Sequence, residues 1–298
     1  MSSGGEPGPR APRSRSGAFR LPWALLAVLV LAQICYPLTG GATRAGLTVA
    51  TVVLGWLLSV AHALLTRGAR VAAALVAVVT GGGFAVEALG VATGFPFGSY
   101  DYSGELGPKL AGVPLIIPLA WTWMAWPAWL TAVRLTQGLK GGPASTGGVK
   151  KGPRLARVAL AAVGLAAWDL FLDPQMVAEG YWTWRDATPA LPGLPGIPVS
   201  NYLGWLGFAV LLAVALRPLA GPSVDRVDRR DAPMFALYLW TYASSVLAHA
   251  VFLRLPASAV WGAAGMAVAA VPLAVVLWRG RRERAVAAEP APRVDAPA

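Results

Sequence analysis

Three carboxyl side chains, Glu87, Asp169 and Asp173, stand inside long apolar stretches of the chain. An ionised carboxylate at the centre of a membrane-spanning helix costs about 2.5 to 3.5 kcal/mol on insertion scales, so each needs a reason to be there. Asp169 and Asp173 are four residues apart, which puts both on one face of a helix that Pro174 then disturbs locally. Such groups either bond a neighbouring helix, relay protons, or hold a metal-bound ligand. Their spacing is also that of one magnesium-diphosphate motif, but that chemistry needs a second acidic motif and several basic residues beside it. Trp121, Trp123, Trp168 and Trp205 fall in the same apolar stretches, where an interfacial belt explains them poorly and an indole face stabilises a cation in a water-poor pocket. Trp182 and Trp184 read as such a belt. Asn201 either bonds its own helix start or joins the acids, and His249 is placed to join them while His62 is not. Two separate histidines and one cysteine, Cys35, expected as a small buried hydrophobe, make no case for a metal or a disulfide.

The elements that position these groups follow from composition. Hydrophobic residues make up 56% of the 298 and charged ones 13%, with a mean hydropathy of +0.57. An ordinary globular domain carries roughly 25% charged residues, so this chain has too little polar surface for a soluble fold and reads as an integral membrane protein. Eight stretches reach the length of a transmembrane helix, near residues 21–39, 46–65, 71–93, 113–135, 155–178, 199–219, 234–253 and 258–278. The first follows Arg10, Arg13, Arg15 and Arg20, but no small-residue cleavage site follows it, so it is expected to be a retained span. The expected domain is therefore residues 21–280, an all-α polytopic bundle of about eight helices, between a basic disordered tail at 1–20 and a second tail at 281–298. Residues 138–152 read as a flexible linker.

The net charge of +11 invites a nucleic-acid partner, but its distribution removes that reading. With the N-terminus taken as cytoplasmic, all of the 25 Lys and Arg residues except Arg44, Lys109, Arg185 and Arg254 fall on the cytoplasmic side. Both termini are therefore expected on the cytoplasmic side of the cell membrane, with the basic residues near anionic lipid. All three acids then lie in the outer half of their helices, able to share one pocket beneath the outer loops at 94–112 and 179–200. Those loops resemble each other. One ends Gly112-Val113-Pro114 with Trp121 seven residues after the proline, the other Gly196-Ile197-Pro198 with Trp205 at the same distance, so the two hairpins are either a duplication or share plain helix-start punctuation. Gly81-Gly82-Gly83, in mid-span, suggests close helix packing.

The strings Gly94-Phe95-Pro96-Phe97-Gly98-Ser99-Tyr100-Asp101-Tyr102, Gly112-Val113-Pro114, Asp169-Leu170-Phe171-Leu172-Asp173-Pro174, Trp182-Thr183-Trp184 and Gly196-Ile197-Pro198-Val199-Ser200-Asn201-Tyr202-Leu203-Gly204-Trp205 together resemble the carotenoid-biosynthesis membrane protein family, and within it the carotenoid hydratases. The resemblance covers roughly residues 87–205; the outer helices match only in hydrophobicity. It implies a cofactor-free enzyme that adds water across the terminal double bond of an acyclic carotenoid, leaving a tertiary alcohol. The implied partners are a lipophilic carotenoid, membrane lipid and other enzymes of the same pathway. Protonating such an alkene places a positive charge on its tertiary carbon, so the site needs a dry acid, a cation-tolerant wall and a positioned water. A carboxyl held neutral by desolvation serves as that acid. Asp169 is assigned that role, with Glu87 or Asp173 orienting and deprotonating the water, Trp121, Trp123, Trp168 and Trp205 as the wall, and Asn201 and Tyr102 holding the water. The open alternatives are a carotene cyclase, which shares the protonation step, an intramembrane prenyltransferase or elongase, and a proton-coupled transporter.

Overall fold

A computed structural model describes residues 20–137 and 152–287; the expected linker up to residue 151, the first expected tail up to residue 19 and the second from residue 288 lie outside them. Among the described residues eight helices form a bundle, as the apolar segmentation predicts, because a chain in lipid must satisfy its backbone polar groups within each helix. They are α1 (Leu21–Cys35), α2 (Gly41–Arg67), α3 (Ala69–Thr93, with a π turn at Val76–Thr80), α4 (Ile117–Thr136), α5 (Gly152–Ala178), α6 (Val199–Ala220), α7 (Ala232–Leu247, continued by a π turn at Ala248–Phe252) and α8 (Pro256–Ala287). The last helix continues past the expected domain boundary at 280. Cys35, expected to be buried, is exposed, because α1 packs on one narrow stripe through Leu26 and Leu29.

Seven of these helices are long and apolar enough to cross a membrane. The exception is α4, whose four tryptophans, three threonines and two prolines lower its hydropathy, yet nearly every one of its residues is buried. It is the central helix, packed against α2, α5 and α7, and shielded from the bilayer by protein. The expected span at 113–135 also starts too early. Val113–Pro114 forms a short strand, β3, with Lys109–Leu110 (β2), and the helix begins only at Ile117. The central packing is close: a methyl on Gly83 would lie 2.9 Å from the Trp121 ring, so the mid-span glycines do admit a bulky neighbour.

Helix-interior prolines free carbonyls that must find other donors. Pro127 in α4 leaves the Trp123 carbonyl, which accepts from the Ser59 hydroxyl at 3.1 Å. Pro174 in α5 leaves the Leu170 carbonyl, which accepts from Ser258 of α8 at 2.7 Å. Each broken helix bond thereby becomes a tie between helices.

The two ends of the bundle differ. At one, buried Asp231 accepts from Arg67 Nη2 at 2.9 and 2.7 Å, and Asp225 pairs with Arg157 and Arg217. His62 lies at this end, accepting from the Trp126 indole at 3.0 Å. The opposite end carries the two long loops, clasped by an antiparallel pair: β1 (Tyr100–Tyr102) on β4 (Trp182–Trp184), with Asp101 opposite Thr183. Arg185 pairs with Asp101 at 2.7 Å across the outside of this clasp, and Arg44 bonds Glu179 beside it. The guanidinium holds the Asp101 carboxyl below the usual range.

Candidate active site

Beneath the clasp lies a cavity of about 130 Å³. Three side chains converge on Glu87 of α3, which is 4% exposed. Its Oε2 accepts from the hydroxyls of Tyr100 at 2.7 Å and Tyr102 at 2.8 Å, and its Oε1 from the Trp121 indole at 3.0 Å. Three hydrogen bonds donated to its two oxygens form an environment that suits a carboxylate. Both tyrosines reach it because β1 crosses directly over the end of α3 with its alternate residues turned inward.

On the facing side, the Asn201 amide nitrogen bridges the two aspartates of α5. It donates to Asp169 Oδ2 at 2.8 Å and to Asp173 Oδ2, while Asp173 Oδ1 accepts from the Trp182 indole at 3.1 Å. Asn201 sits in the first turn of α6, so the positive end of that helix also faces the pair. The second oxygen of Asp169, Oδ1, is buried and has no hydrogen-bond partner among the described residues. Among the described residues no Lys or Arg lines the cavity. Two carboxyls that share one amide and no cation are the arrangement that retains a proton between them.

The aromatic wall joins these groups. Trp121 stacks on Trp205 with ring centres 3.7 Å apart and planes 13° from parallel. Trp168 stands edge-on to both Trp123 (5.3 Å) and Trp205 (6.4 Å). The stacked pair is the two tryptophans at matching positions after Gly-Val-Pro and Gly-Ile-Pro, so the similar hairpins meet face to face about the β1–β4 clasp.

The structure thus brings together Glu87, Asp173, Asn201, Tyr102 and all four in-span tryptophans at one cavity. Asp169 touches the cluster through Asn201 but is not among the residues lining the cavity. Trp182 and Trp184, read from sequence as a belt, line it instead: Trp182 bonds Asp173, and Trp184 donates to the Phe97 carbonyl at 2.9 Å. His249 stands behind the wall rather than in it. Residues unmarked in the sequence reading also line it, notably Tyr100, Gln175, Thr241, Ser244 and Ser245. For the last three the signal was available: three hydroxyls at i, i+3 and i+4 in an apolar helix share one face.

Buried carboxyls at an aromatic-walled cavity in a bundle of membrane-length helices suit a lipophilic ligand, in keeping with the sequence comparisons. The chain belongs to the carotenoid biosynthesis protein family, whose sequence profile matches residues 47–276. A bisanhydrobacterioruberin hydratase from Haloarcula japonica is 37% identical over 133 residues, 43% of this chain and 40% of that protein. The match therefore spans about two fifths of the relative's length. No solved structure matches the chain.

Proposed function

We propose that the chain is a carotenoid hydratase of the cell membrane, adding water to the terminal double bond of an acyclic carotenoid end group to give a tertiary alcohol. What supports this reading most is the Asp169–Asp173 pair bridged by Asn201 and facing a wall of stacked indoles. In this reading the pair supplies the proton, delivered through Asp173, which lines the cavity, with Asp169 behind it as the second member of the dyad. The proton adds to the less substituted alkene carbon and leaves a cation on the tertiary one. The indole faces and the Glu87 carboxylate stabilise that charge. Water then bonds the tertiary carbon, and the proton it sheds passes to Glu87 and back to the aspartate pair, so one water is added and nothing is oxidised. The carotenoid enters from the membrane lipid, with both chain termini on the cytoplasmic side and the clasped loops outside. A cyclase begins with the same protonation and differs in trapping the cation with a second alkene.

Pigment from a lycopene-making host expressing the chain tests this. The product gains the mass of one water per reacted end, carries oxygen from labelled water, and in heavy water gains one non-exchangeable deuterium beside the new alcohol. Asp169→Asn, which keeps size but removes the dissociable proton, abolishes turnover while the protein still accumulates in the membrane. A product of unchanged mass identifies a cyclase, and oxygen derived from dioxygen refutes hydration.

A further inference from the structure

The cavity has a second polar face, opposite in character to the carboxylates. Thr241, Ser244 and Ser245 of α7 share one helix face and all line it. Thr48, Thr66, Thr93 and Thr136 each give their hydroxyl proton to the carbonyl four residues earlier, the usual arrangement for a helical threonine. Thr241 does not: its residue is 1% exposed, and its hydroxyl has no hydrogen-bond partner among the described residues. A buried hydroxyl left unpaired is costly, and where it borders a polar cavity of sufficient size its natural partner is a water molecule.

Gln175 of α5 completes this face, and a chain of hydrogen bonds sets its orientation. Because Pro174 leaves the Leu170 carbonyl without a helix donor, the single Ser258 hydroxyl proton goes to that carbonyl at 2.7 Å. The Ser258 oxygen can then only accept from His249, whose Nδ1 stands 2.9 Å away and so carries the hydrogen. No carboxylate contacts the His249 ring among the described residues, so its Nε2 is left as an acceptor. Gln175 Oε1 is placed 3.2 Å from Nε2, where two acceptors would face each other, so we assign the amide in its flipped orientation, NH2 toward the ring and carbonyl oxygen toward the cavity. That oxygen and the α7 hydroxyls together accept from and donate to one small polar molecule.

We propose that Gln175, Thr241, Ser244 and Ser245 hold the water molecule that captures the cation, with His249 as a positioning residue acting through Gln175. The assignment rests on the hydratase reading above. The aspartate pair forms the cation, the held water supplies the oxygen that bonds the tertiary carbon, and the proton it releases goes to Glu87. Without a held water the cation decays by losing a proton, which regenerates an alkene. The partition between alcohol and regenerated alkene therefore reports on water capture and not on formation of the cation.

In membranes incubated with an acyclic carotene in heavy water, mass spectrometry measures deuterium in both recovered carotene and alcohol. Thr241→Val and Gln175→Met are expected to lower alcohol formation about tenfold while deuterium still enters the recovered carotene, so the ratio of exchange to hydration rises. His249→Leu is expected to raise the same ratio by a smaller factor, and Thr241→Ser, which keeps the hydroxyl, to restore it. A merely structural loss would lower exchange and hydration together. A wild-type ratio in Thr241→Val and Gln175→Met, a proportional loss of both signals, or failure of Thr241→Ser to restore the ratio overturns the proposal. A wild-type protein giving neither alcohol nor exchange overturns the hydratase reading itself, and this assignment with it.

Discussion

Removing the Tyr102 hydroxyl tests whether Glu87 works as a carboxylate. In the structure Tyr102 and Tyr100 both donate to Glu87 Oε2 and Trp121 donates to Oε1. A hydrogen bond to a charged acceptor contributes about 1.5–3 kcal/mol, against about 0.5–1.5 kcal/mol for a neutral one. Tyr102→Phe is therefore expected to slow turnover by roughly 10- to 150-fold if the charge on Glu87 is needed as the cation forms. Glu87→Gln keeps the shape and removes the charge. Its carbonyl must face the Trp121 indole, which can only donate, leaving its NH2 toward the tyrosines, whose hydroxyls can rotate to accept. In that background Tyr102→Phe removes only a neutral bond and costs about two- to tenfold. A double-mutant cycle on the initial rate of alcohol formation should give a coupling of about 1–2 kcal/mol, with detergent-solubilised protein checked for unchanged thermal unfolding. Equal losses from Tyr102→Phe in both backgrounds would show that Glu87 meets its donors without charge, and the electrostatic role assigned to it would fall.

Other consequences are equally direct. Arg67→Met leaves Asp231 buried without the guanidinium nitrogen that bonds both its oxygens and is expected to destabilise the protein by about 3–5 kcal/mol; thermal unfolding measures this, and the double change with Asp231→Leu should recover most of the loss. Reporter fusions after Leu65, Arg229 and Arg284 should report cytoplasm, and those after Glu105 and Pro192 the far side; a cytoplasmic signal at Glu105 inverts the site. Asp228, whose carboxyl accepts from the Arg230 side chain and backbone, is pushed down to about 2. Because that value lies below the unfolded one, its contribution is present above about pH 4 and is lost as pH falls toward 2, with lower hydrogen-exchange protection of the Arg230 amide; Asp228→Asn should remove that pH dependence.

Much of the site was legible because a membrane makes misplaced polarity conspicuous. Glu87, Asp169 and Asp173 stood out by the cost of burying them, and Trp121 and Trp205 by lying too deep for a belt. The clasp was hidden, since Tyr100–Tyr102 and Trp182–Trp184 are three-residue strands in loops dense in glycine and proline, and only their pairing turns Trp182 onto Asp173. The hydroxyl face of α7 was missed for a related reason: Ser and Thr cost little in an apolar helix, so only their i, i+3, i+4 spacing marked them, a weaker signal than a buried charge. The central helix α4 was found by its length, but sequence alone did not distinguish a helix surrounded by other helices from one facing lipid.

The size of the cavity has a kinetic consequence. About 130 Å³ admits the end of a polyene and not its length, so the remainder of a long symmetrical carotenoid must lie outside the chamber while one end reacts. Under the hydratase reading the two ends are then processed in separate encounters, the molecule leaving and returning reversed. That reading therefore expects distributive action, with the singly modified, unsymmetrical pigment accumulating early in a time course ahead of the doubly modified one.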